Sequence, residues 1–195
     1  MIINIRGTSG SGKSFLVRHI MRLYPKQVPV YVSDRRQPIS YTLSRSGRKL
    51  LVVGHYESVC GGCDTVHSMD AIFDLVRSSP CEDALLEGVI LSDEVNRTTK
   101  LSQDGFPVVV VNLSVPVDEC IRNVNARRQT KKPGATPVKE HNTRARVRRI
   151  DRAVERLGAA GVATCRLNWP VAFKFCLKAL GLPRPRFPRI GGGSQ

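Results

Sequence analysis

Apolar and polar residues follow two different periods along this chain. Short runs rich in β-branched residues are typical of strands that are buried on both faces of a sheet. Such runs predict strands at Met1–Arg6, Val28–Val32, Ala84–Leu91, Pro107–Val115 and Val162–Leu167. Between them, apolar residues recur every three or four positions, which predicts helices over about 13–24, 68–79, 116–128, 142–160 and 172–180. This alternation predicts a three-layer α/β fold with a mostly parallel sheet.

Two segments interrupt the simple alternation. Ile39–Ser44 and Lys49–Val53 flank Ser46-Gly47, a pair suited to a tight turn, and they predict a small hairpin insertion. Residues 129–141 include two prolines and a glycine, which predict a short lid between two helices. We therefore expect one domain over residues 1–182 and a basic, disordered tail over residues 183–195.

The composition argues against several classes of protein. No run of eighteen apolar residues occurs, so no transmembrane helix is expected. The first residues lack a charged region followed by an apolar block and a small-residue cleavage site, so secretion is not expected. The six cysteines are unevenly spaced, which favours reduced thiols over a disulfide scaffold. We expect a cytoplasmic protein.

The positive charge is confined to one part of the chain. Residues 1–120 hold 13 basic and 13 acidic side chains, whereas residues 121–195 hold 18 basic and 3 acidic ones, so the second part accounts for the net charge of +15. In the predicted helix after Asn142, Arg144, Arg148 and Arg152 recur every four residues along one stripe. A field of one sign attracts polyanions, and DNA is the expected partner of this basic half. The alternative is a solvated basic surface without a partner.

One motif predicts a ligand on its own. Residues 7–14 match G-x-x-x-x-G-K-[ST] between a predicted strand and a predicted helix, which is the context that this P-loop (Walker A) pattern requires. Glycines let backbone N–H groups approach phosphate oxygens, Lys13 supplies charge for the β and γ phosphates, and Ser14 offers a hydroxyl to Mg²⁺. We therefore expect a P-loop NTPase fold that binds ATP and Mg²⁺. The predicted nucleotide-binding residues are Gly7, Thr8, Ser9, Gly10, Ser11, Gly12, Lys13 and Ser14.

Two carboxylates are candidates for the chemistry of phosphoryl transfer, together with Lys13. Asp34 follows the predicted second strand, where it is placed to accept a proton from an acceptor hydroxyl while Arg35 and Arg36 steer the substrate's phosphates. The alternative for Asp34 is a turn-capping role. Glu87 lies inside an apolar run, where a carboxylate is costly to bury without a cation or Mg²⁺ with its waters. We predict a role for Glu87 beside Mg²⁺ or the acceptor, with a structural ion pair as the alternative.

Arginines at the base of the predicted lid are candidates for contacts with the transferring phosphate. Charge that builds up on this group in the transition state requires nearby cations. Arg127 and Arg128 differ by about 100° around a helix, so only one of them can point inward. We predict that Arg127 is catalytic and that Arg128 contacts the nucleotide. The alternative is a solvated basic face.

The segment Cys60–Asp64 permits two interpretations. Its glycines can admit a substrate that Asp64 contacts, and we favour this interpretation. The alternative is a zinc site, because Cys60 and Cys63 have zinc-like spacing and His55 and His67 lie nearby.

Taken together, these motifs resemble a known family. Met1–Ser14, Cys60–Thr65, Leu86-Glu87-Gly88 and the helix with Arg127-Arg128 are similar in order and spacing to bacteriophage P-loop kinases of thymidine hypermodification, the 5-hydroxymethyluracil (5-hmdU) DNA kinases. These kinases are related to polynucleotide and nucleotide kinases. The resemblance implies ATP-dependent phosphorylation of the 5-hydroxymethyl group of uracil within phage DNA, in a bacterial cytoplasm. It also implies that Asp34 matches the carboxylate that polynucleotide kinases use as a base.

Two other functions remain open from the sequence. One is a kinase for polynucleotide 5′-hydroxyl ends or for free nucleotides or deoxynucleotides. The other is a DNA-associated NTPase that hydrolyses a nucleotide without a dedicated acceptor, because P-loops also occur in motors and helicases.

Overall fold

The computed structural model describes residues 1–33, 35–58 and 61–183. The strands in these residues are β1 Ile2–Arg6, β2 Lys26–Val30, β3 Ser40–Arg45, β4 Arg48–Val53, β5 Asp83–Glu87, β6 Val108–Leu113 and β7 Ala163–Leu167. The helices are α1 Lys13–Met21, α2 Met69–Ser78, α3 Val89–Ser92, α4 Asn96–Gln103, α5 Val117–Lys131, α6 Glu140–Ala159 and α7 Trp169–Ala179. None of these helices is long and apolar enough to cross a membrane.

The strands form one sheet in the order β2-β3-β4-β5-β1-β6-β7. Five neighbouring strands, from β4 to β7 in this order, run parallel, and β2 and β3 are paired antiparallel. Ile3 of β1 lies between Leu85 of β5 and Val109 of β6, so β1 is a central strand. The loop that follows β1 therefore leaves from the middle of the edge at which parallel sheets bind ligands.

Helices cover both faces of the sheet and create two separate cores. Side chains of α1 and α7 pack on one face with every second residue of the central strands: Ile3, Ile5, Leu16, Ile20, Val111 and Phe173. Side chains of α2, α4 and α6 pack on the other: Ile2, Phe73, Leu86, Leu101, Val110 and Leu157. The predicted three-layer α/β fold with a mostly parallel sheet is confirmed.

The hairpin predicted as a small insertion forms two strands of the main sheet. β3 and β4 turn at Ser46-Gly47, where both residues have positive φ angles of 49° and 81°. β4 also pairs in parallel with β5, so the hairpin joins β2 to the central strands. The strand predicted over Val28–Val32 is β2, which ends at Val30 and forms the exposed edge of the sheet. Three strands separate it from β1, and Asp34 beyond it lies outside the described residues.

The prediction of one strand over Ala84–Leu91 is wrong in its second half. The strand ends at Glu87, and Val89–Ser92 form α3 instead. The physical reason is distant in sequence: the carboxylate of Asp64 accepts hydrogen bonds from the backbone N–H groups of Val89 and Ile90, both at 2.9 Å. Such bonds satisfy N–H groups that have no partner within a helix.

The other predicted elements agree with the structure within a few residues, whereas α4 has no predicted counterpart. Ser68 caps α2 and accepts a hydrogen bond from the N–H of Ala71. α6 begins at Glu140, so Asn142 lies within its first turn and does not cap it. Between α5 and α6, residues 132–139 form the irregular part of the predicted lid. Residues 184–195 of the predicted tail lie outside the described part of the chain.

Candidate active site

The predicted phosphate-binding loop joins β1 to α1 at the centre of the sheet. Gly7, Gly10 and Gly12 have positive φ angles of 149°, 84° and 86°, which other residues rarely adopt. A Cβ atom at Gly10 would also lie 2.2 Å from the carbonyl oxygen of Cys120 on α5. The backbone course of this loop therefore requires the glycines that the motif specifies.

Lys13 is the first residue of α1, and its side chain folds back over the loop. The side chain is buried, and its Nζ donates hydrogen bonds to the carbonyl oxygens of Gly7 at 2.8 Å and Thr8 at 3.1 Å. Burial lowers the pKa of Lys13, and the nearby charge of Glu87 opposes this shift. An ammonium group among backbone N–H groups at a helix N-terminus is suited to an anionic ligand.

Glu87 is the last residue of β5 and faces the same loop. Its carboxylate is 1% exposed, and its Oε1 atom has no hydrogen-bond partner among the described residues. Burial raises the pKa of Glu87, whereas the charge of Lys13 and the hydroxyl of Ser14 lower it. A Cβ atom at Gly62 would lie 2.4 Å from Oε1, so the loop after β4 packs closely against this carboxylate and leaves no space for a side chain at Gly62. A buried acceptor without a partner is a position that a cation can fill.

Tyr56 extends this buried polar group, although no sequence pattern singled it out. The side chain is 8% exposed, and its hydroxyl approaches the carboxylate of Glu87 without a hydrogen bond of normal geometry. Burial raises the pKa of Tyr56 well above its usual value, and the charge of Glu87 adds to the shift. Arg18 of α1 donates hydrogen bonds to the Tyr56 carbonyl oxygen at 3.2 and 3.3 Å. The loop after β4 is thus attached to the P-loop helix.

Asp64 both lines the site and caps α3. Its exposed carboxylate lines the same cavity as Glu87, so the predicted contact with a substrate stays a prediction. No group of three potential metal-binding side chains occurs among the described residues. Of the proposed zinc ligands, Cys63 and His55 are buried, His67 is exposed, and Cys60 lies outside the described segments.

A buried network fixes the start of the P-loop to α3 and α4. The Ser92 hydroxyl lies 3.0 Å from the carbonyl oxygen of Gly7 and 2.7 Å from that of Gly88. Arg6, at the end of β1, is fully buried and donates to the carbonyl oxygen of Ser92 at 3.3 Å and to Thr98 Oγ1 at 2.9 Å. Burial lowers the pKa of Arg6 to about 10. The P-loop therefore cannot shift independently of α3.

The two arginines at the base of the lid have different surroundings. Arg127 is half-buried and lines the cavity of the P-loop, whereas Arg128 is exposed and lines only a neighbouring concave surface with the lid. This difference agrees with the inward direction predicted for Arg127. The catalytic role of Arg127 and the nucleotide contact of Arg128 stay predictions. Asn123 on the same helix donates a hydrogen bond to the carbonyl oxygen of Gly10 at 3.0 Å.

The predicted substrate-steering arginines lie away from this cavity. Arg35 donates a hydrogen bond to the carbonyl oxygen of Thr65 at 2.7 Å, which connects the segment after β2 to the loop after β4. Arg36 is exposed, and neither residue lines the cavity among the described parts of the chain. Their contact with a substrate stays a prediction.

The P-loop, Glu87 and Arg127 surround a cavity of about 510 Å³. This volume is within the range of small-molecule sites. Gly61, Asp64, Phe15, Val115 and Trp169 also line it. Glu87 ends β5, whereas Val115 and Trp169 follow β6 and β7, which lie on the other side of β1 in the sheet. Phe15 and Trp169 were not singled out from the sequence because isolated aromatic residues usually belong to a core.

The three arginines of the predicted stripe all lie on α6, four residues apart, but have different partners. Arg144 is paired with Asp118 and Glu140. Arg148 and Arg152 have no ion-pair partner among the described residues, and they share a concave surface with Arg146 and Arg149. Arg146 and Arg149 both lie near Asp93, at 3.9 and 3.5 Å. A second concave surface, lined by Arg127, Arg128, Lys139 and Arg146, adjoins the P-loop residues Thr8 and Ser9.

Comparisons with known proteins agree with this site. The chain is 45% identical over 175 residues to a protein of Pseudomonas phage PaMx11 named 5-hmdU DNA kinase, covering 88% of this chain and 93% of the relative. Proteins with the same name from Pseudomonas phage M6 and Delftia phage PhiW-14 are 27% and 30% identical, each over 182 residues. These two alignments cover 88% and 84% of this chain and 93% and 66% of the respective relatives.

Two further comparisons are less informative. A solved structure of deoxyadenosine kinase from M. mycoides with bound dATP has a TM-score of 0.44 and 12% identity, covering 93% of this chain and 97% of that one. No family model matches the chain. The assignment therefore depends on the phage relatives. Because the PaMx11 protein is 45% identical across nearly the whole of both chains, this chain belongs to the family of 5-hmdU DNA kinases.

Proposed function

We propose that this chain transfers the γ-phosphoryl group of ATP to the 5-hydroxymethyl group of 5-hydroxymethyluracil in phage DNA, as a step in thymidine hypermodification. The observation that carries the proposal is the 45% identity to the PaMx11 protein named 5-hmdU DNA kinase. The site supports it, because a phosphate-binding loop and a buried carboxylate line one cavity. A bacterial cytoplasm is the proposed place of action, since phage DNA is replicated there.

In this proposal the P-loop and Lys13 bind the triphosphate. The ammonium group of Lys13 exchanges its hydrogen bonds with the carbonyl oxygens of Gly7 and Thr8 for bonds to the β and γ phosphates. Arg127 lies close enough to lower the pKa of Lys13 by its charge, which supports a shared role in binding phosphate oxygens. Backbone N–H groups and these two cations then stabilise the charge that develops on the transferring group.

The residues that would hold Mg²⁺ are Ser14 and Glu87. They fit this ion because the Ser14 hydroxyl lies at the start of α1 and the Glu87 carboxylate is buried with an unpartnered oxygen beside it. When bound, Mg²⁺ neutralises charge on the β and γ phosphate oxygens. Glu87 has a second role that does not involve the ion. Burial lowers the pKa of Lys13, and the negative charge of Glu87 raises it, which favours the charged form of the lysine.

The base that accepts the proton of the acceptor hydroxyl stays a prediction. The sequence assigns this role to Asp34, whereas Glu87 is the buried carboxylate of the cavity, which Asp64 and Glu119 also line. Replacement of each by its amide separates the two: the carboxylate that acts as base is required for transfer but not for ATP binding. A cavity of about 510 Å³ cannot admit a duplex, so the target base must leave its stack, at a cost of a few kcal/mol.

The DNA is proposed to reach the site across the arginines of α6 and the lid. The concave surface formed by Arg146, Arg148, Arg149 and Arg152 is close to the one that adjoins the P-loop, since Arg146 lines both. Such a surface suits phosphodiester groups, which attract unpaired arginines without regard to sequence.

A transfer assay with labelled ATP tests the proposal. The full chain is incubated with Mg²⁺, γ-labelled ATP and one of three acceptors: DNA containing 5-hydroxymethyluracil, 5′-hydroxyl oligonucleotides without the modified base, or free deoxynucleotides. We expect label only on internal modified bases, and no label with Lys13→Ala. Label on 5′ ends or on mononucleotides would assign another acceptor, and release of inorganic phosphate alone would indicate an NTPase.

A further inference from the structure

The cavity carries aromatic residues on the side of β1 opposite to Glu87, because Trp169 follows β7 whereas Glu87 ends β5. Phe15 and Trp169 both line it, and their ring centroids are 5.4 Å apart with an angle of 45° between the rings. Phe15 follows the P-loop directly and is 56% exposed, although a residue of this kind is usually buried. Its ring contacts His19, with centroids 4.1 Å apart, and Trp169, but more than half of the side chain remains available to a ligand.

The Trp169 ring is held in place from behind. It stacks on Phe173 of the same helix with ring centroids 5.4 Å apart and an angle of 15°. The His19 ring lies edge-on to it, with ring centroids 5.6 Å apart. A Cβ atom at Gly12 would lie 3.2 Å from Trp169 Cδ1, so the indole adjoins the P-loop backbone. Asn168 caps the helix that Trp169 begins, which fixes the backbone at this point. The ring is therefore a rigid surface next to the phosphate-binding loop.

The direction of a bound triphosphate follows from the two sides of the cavity. Its terminal phosphate is expected near Lys13 and Glu87, because a P-loop lysine binds the β and γ phosphates and because Ser14 and Glu87 are the proposed ligands of Mg²⁺. The nucleoside then extends over the start of α1 towards Phe15 and Trp169. A nucleobase stacks on aromatic side chains with about 1–3 kcal/mol per base, largely independent of which base it is.

We propose that Phe15 and Trp169 form the binding site for the nucleobase of the donor nucleotide, which is held by stacking. This inference rests on the proposed function, because it assumes that a nucleoside triphosphate is the donor. Stacking has a consequence for specificity: purine triphosphates should bind with similar affinity, because stacking contacts the face of a base and not the polar groups on its edge.

Trp169 is the only tryptophan of the chain, so its fluorescence reports on this site alone. We titrate the full chain with Mg·ATP, Mg·GTP and Mg·tripolyphosphate, the last of which occupies the P-loop without a base. ATP and GTP are expected to change the emission strongly, and tripolyphosphate only weakly. Equal changes with ATP and tripolyphosphate would overturn the proposal.

Two variants give an independent measurement by calorimetry. Phe15→Ala and Trp169→Ala are each expected to weaken ATP binding about 5- to 150-fold, which corresponds to the stacking energy, and to leave tripolyphosphate binding within about twofold of the parent. Trp169→Phe should recover most of the affinity. Phe15 is exposed, so its replacement tests the proposal even if Trp169→Ala does not fold. ATP affinities equal to that of the parent in both alanine variants would overturn it.

The outcome is distinguishable from that of the proposed function. Neither measurement contains an acceptor, so a failed transfer assay leaves the donor-base site intact. If instead 5-hydroxymethyldeoxyuridine changes the emission and ATP does not, the aromatic side binds the acceptor base. That result would overturn the inference and leave the kinase proposal standing.

Discussion

At the scale of single residues, this site depends on charged groups that are buried together. Lys13 and Glu87 are both at least nine-tenths buried, and burial moves their pKa values in opposite directions, down for the lysine and up for the glutamate. Each charge partly offsets the cost of burying the other. The arrangement is less favourable without a ligand than with one, because neither Lys13 nor Glu87 has an ion-pair partner at contact distance among the described residues. This is the expected state of a site that binds both phosphate and a cation.

Glu87→Gln is expected to change how stability depends on pH. Burial raises the folded pKa of Glu87 above the unfolded value of about 4.3, so the group contributes stability that is present below that value and lost as pH rises through the folded pKa. The free energy of unfolding of the parent should fall by about 1.4 kcal/mol for each pH unit that separates these two pKa values. Glutamine does not titrate, so the Tm of the variant relative to the parent should increase between about pH 4 and pH 8.

The measurement is a thermal melt without nucleotide across this pH range. Glu119→Gln is the matched control, because Glu119 lines the same cavity but is exposed. The difference in Tm between Glu119→Gln and the parent should stay nearly constant across the pH range. A constant difference in Tm for Glu87→Gln as well would contradict the raised pKa of Glu87.

At the scale of secondary-structure elements, α3 connects Asp64 to the P-loop. Four residues are too few for an independent helix, so α3 depends on the cap from Asp64 and on burial of Leu91. Ser92 at its end contacts the carbonyl oxygen of Gly7. A change at Asp64 should therefore reach the phosphate-binding loop.

Asp64→Ala and Ser68→Ala remove comparable caps from different helices. Each is expected to lower the free energy of unfolding by about 1 kcal/mol. Only Asp64→Ala should also weaken ATP binding, because α2, which Ser68 caps, has no residue in the cavity. Denaturant unfolding and calorimetry with ATP measure the two effects.

Asp64→Asn distinguishes the cap from the predicted substrate contact. Asparagine keeps one of the two acceptor oxygens that cap α3 and has no charge, so its loss of stability should be smaller than that of Asp64→Ala. Transfer to DNA at the parental rate would show that the cap is the contribution of this residue. A loss of transfer larger than that of Asp64→Ala, in spite of the smaller loss of stability, would instead support the contact between the Asp64 charge and the substrate.

At the scale of the whole molecule, one group of arginines lies on the lid side of the nucleotide site. Arg127 belongs to α5, and Arg146, Arg148 and Arg152 belong to α6, which packs on the face of the sheet opposite to the one that α1 and α7 cover. DNA bound across α6 would approach the P-loop from the lid side. In that case the positive charge of this part of the chain contributes to DNA binding and not only to solubility.

The double variant Arg148→Ala, Arg152→Ala is expected to weaken DNA binding and to reduce its salt dependence. If each arginine contacts one phosphate of a duplex, the slope of log K against log salt should fall by about 0.9 for each residue. Lys174→Ala, Lys178→Ala is the matched control, since both lysines are exposed on α7. Fluorescence anisotropy at several salt concentrations measures the slopes. Equal slopes for the two double variants would exclude α6 as the DNA-binding surface.

Features that depend on contiguous residues could be predicted from the amino-acid sequence. The strand–loop–helix unit of residues 2–21 is one of them, because eight adjacent residues specify the P-loop and the flanking periods specify β1 and α1. Glu87 was recognisable because a lone carboxylate in an apolar run requires a reason to be buried. The layered fold followed from the alternation of strands and helices alone.

Which distant residues share the site depends instead on how the chain folds in three dimensions. The hydroxyl of Tyr56 meets Glu87 thirty-one positions later, Asp64 caps a helix twenty-five positions later, and Trp169 adjoins Gly12 from the other end of the chain. The order of the strands, which separates β2 from β1 by three strands, is equally invisible in local patterns. Periodicity records which face of an element is buried, because burial is a property of single residues. It does not record the partner, because any apolar face of suitable shape can cover another.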